Sequence, residues 1–126
     1  MNVLLDTCAL LALARGDLPA GAAAALRRAT DAWVSAVSPW EVAIKAAAGR
    51  VRLEEPPAQW FLGLCERYHW REVPLDARTA CAAADLPPIH RDPFDRVLVA
   101  LARAQALTVL TSDEDIAKYS GTKTLW

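Results

Sequence analysis

The chain has few residues of the types that hold soft metals or cross-link small proteins. Its 126 residues include two histidines and only three cysteines, which stand far apart at Cys8, Cys65 and Cys81. Without a C-x-x-C pair or histidines at ligand spacing, a zinc site is not expected. An odd number of scattered cysteines also argues against a disulfide framework. We therefore expect reduced, mostly buried thiols in an intracellular protein.

Excess positive charge is lacking as well. The formal net charge is −1, so no general positive field attracts nucleic acid, and such a partner would need a local basic patch or a metal. No stretch approaches the roughly 20 apolar residues of a membrane-spanning helix. The first residues contain no basic region followed by an apolar run and a cleavage site. These absences predict a cytoplasmic protein without a membrane partner.

Hydrophobic residues, in contrast, make up 54% of the chain. This fraction and the length predict one domain, residues 1–126, that buries a core without structural staples. Strands are predicted at 2–5, 32–37, 70–73, 107–110 and 123–126, and helices at 7–15, 20–29, 39–49, 57–69, 75–84 and 93–106. Strands separated by helices pair in parallel, with helices on both faces of the sheet. The predicted fold class is α/β, a three-layer α/β/α sandwich around a mostly parallel sheet of about four to five strands.

The clearest helix start lies at residues 90–96, which are HRDPFDR. Asp92 suits the N-cap, Pro93 suits the first helical position, and Asp95 follows three residues after the cap. Residues 38–41, SPWE, repeat this pattern and predict a capping box with Ser38 as the N-cap and Glu41 at the third helical position. Both segments place a carboxylate in the first turn of a helix.

Four carboxylates are predicted to meet at one edge of the sheet. Asp6 and Asp113 follow predicted strands, and Glu41 and Asp95 begin helices that start at the same edge. Ligands of open parallel sheets bind at the carboxyl ends of the strands. Like charges brought together repel unless a cation neutralises them, and oxygen ligands suit Mg²⁺ or Mn²⁺. Such a site is suited to metal-assisted hydrolysis of phosphodiester bonds.

Each of these acids also has a structural interpretation, which the residues alone leave open. Asp6 could end a strand or cap a helix, and Glu41 could serve only the capping box and an ion pair with Lys45. Asp95 could be a favourable charge at a helix N-terminus, and Asp113 could belong to a solvated turn or cap. For Asp92, capping is the first interpretation.

Several polar neighbours are candidates for supporting roles around the acids. The hydroxyl groups of Thr7, Ser38 and Thr111 could contact a carboxylate, and Arg96 could pair with a carboxylate or reach a phosphate. Lys45 and Arg91 are candidates for binding a nucleic-acid backbone. For His90 we favour hydrogen bonds within its loop over acid–base work.

Four segments of the chain together carry a family resemblance: LLDT at 4–7, SAVSPWEVAIK at 35–45, HRDPFDRVLVA at 90–100 and LTSD at 110–113. They resemble the PIN-domain ribonucleases, and most closely the VapC-type toxins of bacterial toxin–antitoxin pairs. The resemblance implies that the four acids of the family correspond to Asp6, Glu41, Asp95 and Asp113. Asp92 belongs to the D-P-F-D-R variant of the third motif.

The same resemblance implies an activity and partners. It implies a Mg²⁺- or Mn²⁺-dependent endoribonuclease toxin that leaves a 5′-phosphate and a 3′-hydroxyl. It also implies a VapB-like antitoxin. The C-terminal segment of this antitoxin would cover the groove that holds the four acids, and its N-terminal part would bind operator DNA. Homodimerisation is usual in the family, and here it could use the alanine-rich second helix or the segment 56–69.

Four alternatives remain at this point. A phosphoacceptor receiver domain has similar length and architecture, but it needs two acids at the end of the first strand, where this chain has only Asp6. A phosphotransferase with an aspartate nucleophile would need an acid at the position of Cys8. The presence of all four acids argues against a PIN-fold protein that binds without catalysis but does not exclude it. A DNA- or structure-specific nuclease is the alternative within the same class.

Overall fold

The computed structural model describes residues 1–126, which form five strands and seven helices. In chain order they are β1 (Asn2–Leu5), α1 (Thr7–Arg15), α2 (Ala20–Arg28), β2 (Asp31–Ser35), α3 (Val37–Ala47), α4 (Pro57–Tyr68), β3 (Arg71–Val73), α5 (Ala77–Ala84), α6 (Pro93–Gln105), β4 (Thr108–Leu110), α7 (Glu114–Ala117) and β5 (Thr124–Leu125). Every predicted strand and helix is present, and α7 is an additional short helix.

The strands form one five-stranded sheet in the order β3-β2-β1-β4-β5, and all four pairings are parallel. Successive side chains of β1 point to opposite faces of the sheet and therefore belong to two separate hydrophobic cores. Leu4 packs in a cluster with residues of α6, including Leu98 and Leu101. Val3 and Leu5 pack on the other face, in a cluster with residues of α1, α2 and α4. The predicted three-layer α/β/α sandwich is therefore confirmed.

The sheet order creates a crevice between β1 and β4. The chain runs from β1 outward to β2 and β3, and then returns to place β4 on the other side of β1. Parallel strands whose onward connections leave in opposite directions bound a gap at their carboxyl ends, where ligands of this architecture bind. Asp6 follows β1 at this gap, and its backbone N–H donates to the carbonyl of Leu110 at the end of β4.

Two helices that begin at this edge of the sheet, α1 and α6, are started by local caps. The Asp6 carboxylate accepts the backbone N–H of Ala9 at 2.7 Å and so begins α1. Gly16 ends the helix with a φ of 77°, a left-handed conformation that glycine adopts without strain. At the start of α6 the Asp92 carboxylate accepts the N–H of Phe94 at 2.9 Å, as predicted from the sequence.

The predicted capping box at Ser38 is wrong. Helix α3 begins at Val37, after Ala36, which makes no side-chain cap, and β2 ends at Ser35 rather than at residue 37. The Ser35 hydroxyl accepts the Val37 N–H at 3.2 Å, and the buried Ser38 instead accepts a hydrogen bond from Thr7. Glu41 consequently lies in the second turn of the helix.

The expectation of mostly buried thiols is also wrong. Cys8 and Cys81 are exposed and Cys65 is partly exposed, although all three are free.

None of the helices by itself has the length and apolar composition of a membrane span. Helices α1 and α2 meet that criterion only when they are taken together, and this pair is bent by 105°.

Candidate metal centre

Asp6 is the most deeply buried of the four candidate acids, with 1% of the residue exposed. Burial raises the pKa of its carboxyl, and the charges of Asp113 and Glu41 raise it further. The side chain of Thr111 and the N–H of Ala9 oppose this shift because they hydrogen bond to the ionised form. The cap of α1 thus fixes the Asp6 carboxylate, and the carboxylates of Asp113 and Glu41 make its surroundings negative.

Glu41 projects from α3 and is 6% exposed. Its Oε2 accepts a hydrogen bond from Lys45 Nζ at 2.7 Å, one helical turn further on. Its Oε1 is buried and has no hydrogen-bond partner. The ion pair with Lys45 expected from the sequence is therefore present, but it satisfies only one of the two oxygens, and a buried carboxylate oxygen without a partner is costly.

Asp95 lies in the first turn of α6, with 16% of its side chain exposed. Burial raises the pKa of its carboxyl to about 7, and the negative charge of Asp92 acts in the same direction. Glu41 and Asp6 also raise it, whereas His90 lowers it. The ionised Asp95 is therefore unfavourable in its present surroundings unless a cation compensates the charge.

Asp113 precedes α7 and caps it, since its Oδ1 accepts the N–H of Asp115 at 2.8 Å. Its Oδ2 lies 2.7 Å from His90 Nε2, which is also 3.1 Å from Asp95 Oδ2. Burial favours the neutral carboxyl, but the hydrogen bonds from His90 and the α7 N–H groups leave the pKa of Asp113 lowered. The His90 ring thus bridges the third and fourth acids.

The carboxylates act on one another as a group. Asp6 is perturbed by Asp113 and Glu41, and Asp95 is perturbed by Glu41 and Asp6. All the atoms that could bind a metal in this group are carboxylate oxygens. One of them, Oε1 of Glu41, is buried without a partner, and the pKa values of Asp6 and Asp95 are raised. These residues fit a hard divalent cation such as Mg²⁺ or Mn²⁺, because it would replace the missing partner and relieve the repulsion.

A second set of groups lies at the outer side of this centre. Ligand atoms of His90, Asp113 and Asp115 all lie within 4.8 Å of one another. Two of these groups are already engaged, since Asp115 pairs with Lys118 at 2.8 Å and His90 hydrogen bonds to Asp113. The four-carboxylate group is the stronger candidate for a cation, because it alone contains a carboxylate oxygen that is buried without a partner, Glu41 Oε1.

The hydroxyl groups expected near the acids are present, with different roles. Thr7 Oγ1 donates to Ser38 Oγ at 3.0 Å in the buried contact between α1 and α3. Thr111 Oγ1 accepts the N–H of Asp113 at 2.9 Å, and the same side chain lowers the pKa of Asp6. Thr111 therefore links the first and fourth acids, whereas Thr7 and Ser38 join two helices.

Arg96 does not pair with a carboxylate, contrary to one expectation from the sequence. Its guanidinium donates to backbone carbonyls of the segment 83–90, including Leu86 at 2.8 Å and Ala83 at 2.9 Å. Two contacts were not foreseen from the sequence: the bridge made by His90 and the hydrogen bond from His90 N–H to the hydroxyl of Tyr119, at 2.8 Å. No local pattern signals them, since Tyr119 and Asp113 follow His90 by 29 and 23 residues.

Two solved structures share the fold of this chain. The chain is similar to VapBC2 from Rickettsia felis, solved with a promoter DNA fragment, at 12% identity and a TM-score of 0.72, covering 98% of this chain and 97% of that one. It is also similar to FitAB, solved with a DNA fragment, at 18% identity and a TM-score of 0.71, covering 97% and 92% of the two chains. No curated protein matches the chain in sequence. The family model of the PIN domain matches residues 3–121, and the chain therefore belongs to the PIN domain family.

Proposed function

We propose that the protein is a metal-dependent endoribonuclease of the VapC type, with Asp6, Glu41, Asp95 and Asp113 as the residues that hold Mg²⁺ or Mn²⁺. The observation that carries this proposal is the carboxylate group itself. Asp6 is buried, Asp95 is mostly buried, and the negative charge of Glu41 raises the pKa of both, while one oxygen of Glu41 is buried without a partner. Structural carboxylates are normally satisfied, so this arrangement is better suited to binding a cation than to stabilising the fold.

The residues of the chain supply position and orientation for hydrolysis. A bound cation would supply positive charge where negative charge develops on the scissile phosphate. Asp6 is fixed by its hydrogen bond to the start of α1, and Lys45 holds one oxygen of Glu41. His90 keeps Asp113 beside Asp95.

The proposed substrate is RNA bound through its phosphates. Arg91 is exposed next to Asp92, and Lys45 is partly exposed beside Glu41. These cations supply the local positive charge that a chain with a net charge of −1 needs for a nucleic-acid partner. RNA as substrate favours a cytoplasmic location.

The proposed protein partner is a VapB-like antitoxin, and operator DNA would be bound only through it. The two similar structures carry names of two-component complexes and were solved with DNA fragments.

A homodimer through α2 or the segment 56–69 remains part of the proposal. Leu62 on α4 and Trp40 on α3 are 60% and 61% exposed, and they line an apolar groove of about 290 Å³ that also supports a protein partner.

The test is incubation of purified, antitoxin-free protein with total RNA and Mg²⁺ or Mn²⁺, beside Asp6→Asn and Asp95→Asn. We expect cleavage by the wild type only, with loss of activity on chelation of the metal. Equal cleavage by the variants would reject the proposed site. Binding of RNA without cleavage under either metal would favour the binding-only alternative. Cleavage of DNA but not of RNA, in a parallel incubation with DNA, would favour a DNA nuclease.

A further inference from the structure

Arg96 makes the densest set of side-chain hydrogen bonds in the protein. Its Nη2 donates to the carbonyls of Leu86, Ala83 and Ala84 at 2.8, 2.9 and 3.3 Å, and its Nη1 to Pro87 and His90 at 3.0 and 3.3 Å and to the Tyr119 hydroxyl at 3.4 Å. None of these acceptors is a carboxylate. The guanidinium therefore binds mainly to backbone carbonyls at the end of α5 and in the segment that leads to α6.

Tyr119 holds the same segment from the other side. It is 2% exposed, and its hydroxyl accepts the backbone N–H of His90 at 2.8 Å as well as the contact from Arg96. The backbone of His90 is thus fixed at its N–H by Tyr119 and at its carbonyl by Arg96. The segment leading to α6 has little freedom while both contacts are in place.

This anchoring determines where the His90 ring lies. Its Nδ1 accepts the N–H of Asp92 at 3.1 Å, so the proton of the neutral ring is on Nε2. Nε2 then donates toward Asp113 Oδ2 at 2.7 Å and Asp95 Oδ2 at 3.1 Å. Two acids that would otherwise repel are held side by side by one donor.

We infer that Arg96 is a positioning residue that acts through His90, keeping Asp113 and Asp95 arranged for the cation. The inference rests on the proposed function, because it assigns these two acids to the cation site. Groups that orient metal ligands typically change metal affinity by about 10- to 100-fold when they are removed. Arg96 is expected to act at the lower end of this range, because it orients the ligands through a second residue.

The experiment is a double-mutant cycle on the full chain. Arg96→Met keeps the apolar stem and removes every donor, His90→Ala removes the bridge, and the third variant combines both changes. Arg103→Met on the same helix is the matched control, because Arg103 is exposed and makes no side-chain hydrogen bond. Mn²⁺ affinity is measured by calorimetry, and the ¹⁵N resonances of the His90 ring are recorded without metal or RNA.

We expect Arg96→Met to weaken Mn²⁺ binding by about 10-fold and His90→Ala to weaken it at least as much. The double variant should bind Mn²⁺ no more weakly than His90→Ala alone. The ring resonances should change in Arg96→Met and stay as in the wild type in Arg103→Met. Should Arg96→Met not fold, Arg96→Lys keeps fewer donors and should show a smaller effect of the same kind.

The inference would be overturned if Arg96→Met kept the Mn²⁺ affinity and the His90 ring resonances of the wild type, even if its melting temperature were lower. Losses of affinity that multiply in the double variant would also overturn it. The ring resonances need neither metal nor substrate, so they test the role of Arg96 separately from the proposed RNA cleavage.

Discussion

Two carboxylates lie in the first turn of α6 or at its cap, and their surroundings give them different tasks. Asp92 accepts the N–H of Phe94 and is satisfied by capping the helix. Asp95 has no such backbone partner, and burial together with the charge of Asp92 raises its pKa to about 7. The two acids look equivalent in the sequence, but only Asp95 carries a charge that the fold leaves poorly compensated.

This difference predicts opposite behaviour of the two asparagine variants. Asp95→Asn should lose metal-dependent cleavage and raise the melting temperature of the metal-free protein, because it removes an unfavourable buried charge. Asp92→Asn should keep cleavage and cost little stability, because asparagine caps helices about as well as aspartate. Thermal unfolding in a chelator and an RNA cleavage assay measure the two effects. Loss of cleavage in Asp92→Asn alone would contradict the ranking.

At the level of helices and strands, local sequence signals predicted α6 better than α3. The start of α6 follows from Asp92 and Pro93, whose effects are confined to neighbouring residues. Ser38-Pro39 gives the same signal, yet the Ser38 hydroxyl hydrogen bonds to Thr7 on another helix. Whether a hydroxyl caps its own helix or contacts a distant one depends on tertiary packing, which the local pattern does not contain.

The contact between α1 and α3 predicts a coupled loss of stability. Ser38→Ala should cost about 1 kcal/mol, because it removes the acceptor of a buried hydrogen bond from Thr7. In a Thr7→Val background, which already lacks the donor, the same change should cost clearly less. Chemical denaturation of the four proteins gives both values. Equal costs in the two backgrounds would mean that Ser38 stabilises α3 in another way.

At the level of the whole molecule, the sheet order brings the acids together, and this was predictable only in part. The ends of β1 and β4 and the start of α6 were apparent in the sequence, which is why Asp6, Asp95 and Asp113 could be assigned to one edge. The bridge through His90 and the anchoring by Arg96 and Tyr119 require the folded positions of separate segments. No periodicity or cap signal encodes such contacts.

The raised pKa values predict how the stability of the metal-free protein depends on pH. The pKa of Asp95 is about 7 and that of Asp6 is also raised, so above about pH 4 the folded state binds more protons than the unfolded chain. Stability should therefore fall as the pH rises toward about 7. The pKa of His90 is also raised: burial, the largest single effect, lowers it, but the hydrogen bond to Asp113 and the negative charges of Asp95, Asp113 and Asp92 together outweigh burial. A raised histidine pKa likewise makes stability fall as the pH rises through the neutral range.

Melting curves in a chelator and in saturating Mn²⁺ across this pH range test the prediction. The melting temperature should fall with rising pH in the chelator, and Mn²⁺ should stabilise the protein more at the higher pH, because the cation competes with the protons on the acids. A melting temperature that rises toward neutral pH in the chelator would contradict the assigned charges.

A crystal structure with Mn²⁺ and its anomalous difference density would show directly whether the four carboxylates form one cation site. We predict a peak bounded by oxygens of Asp6, Glu41, Asp95 and Asp113, and none at that position in Asp95→Asn crystals treated in the same way. A peak only at His90, Asp113 and Asp115, or no peak at saturating Mn²⁺, would contradict it.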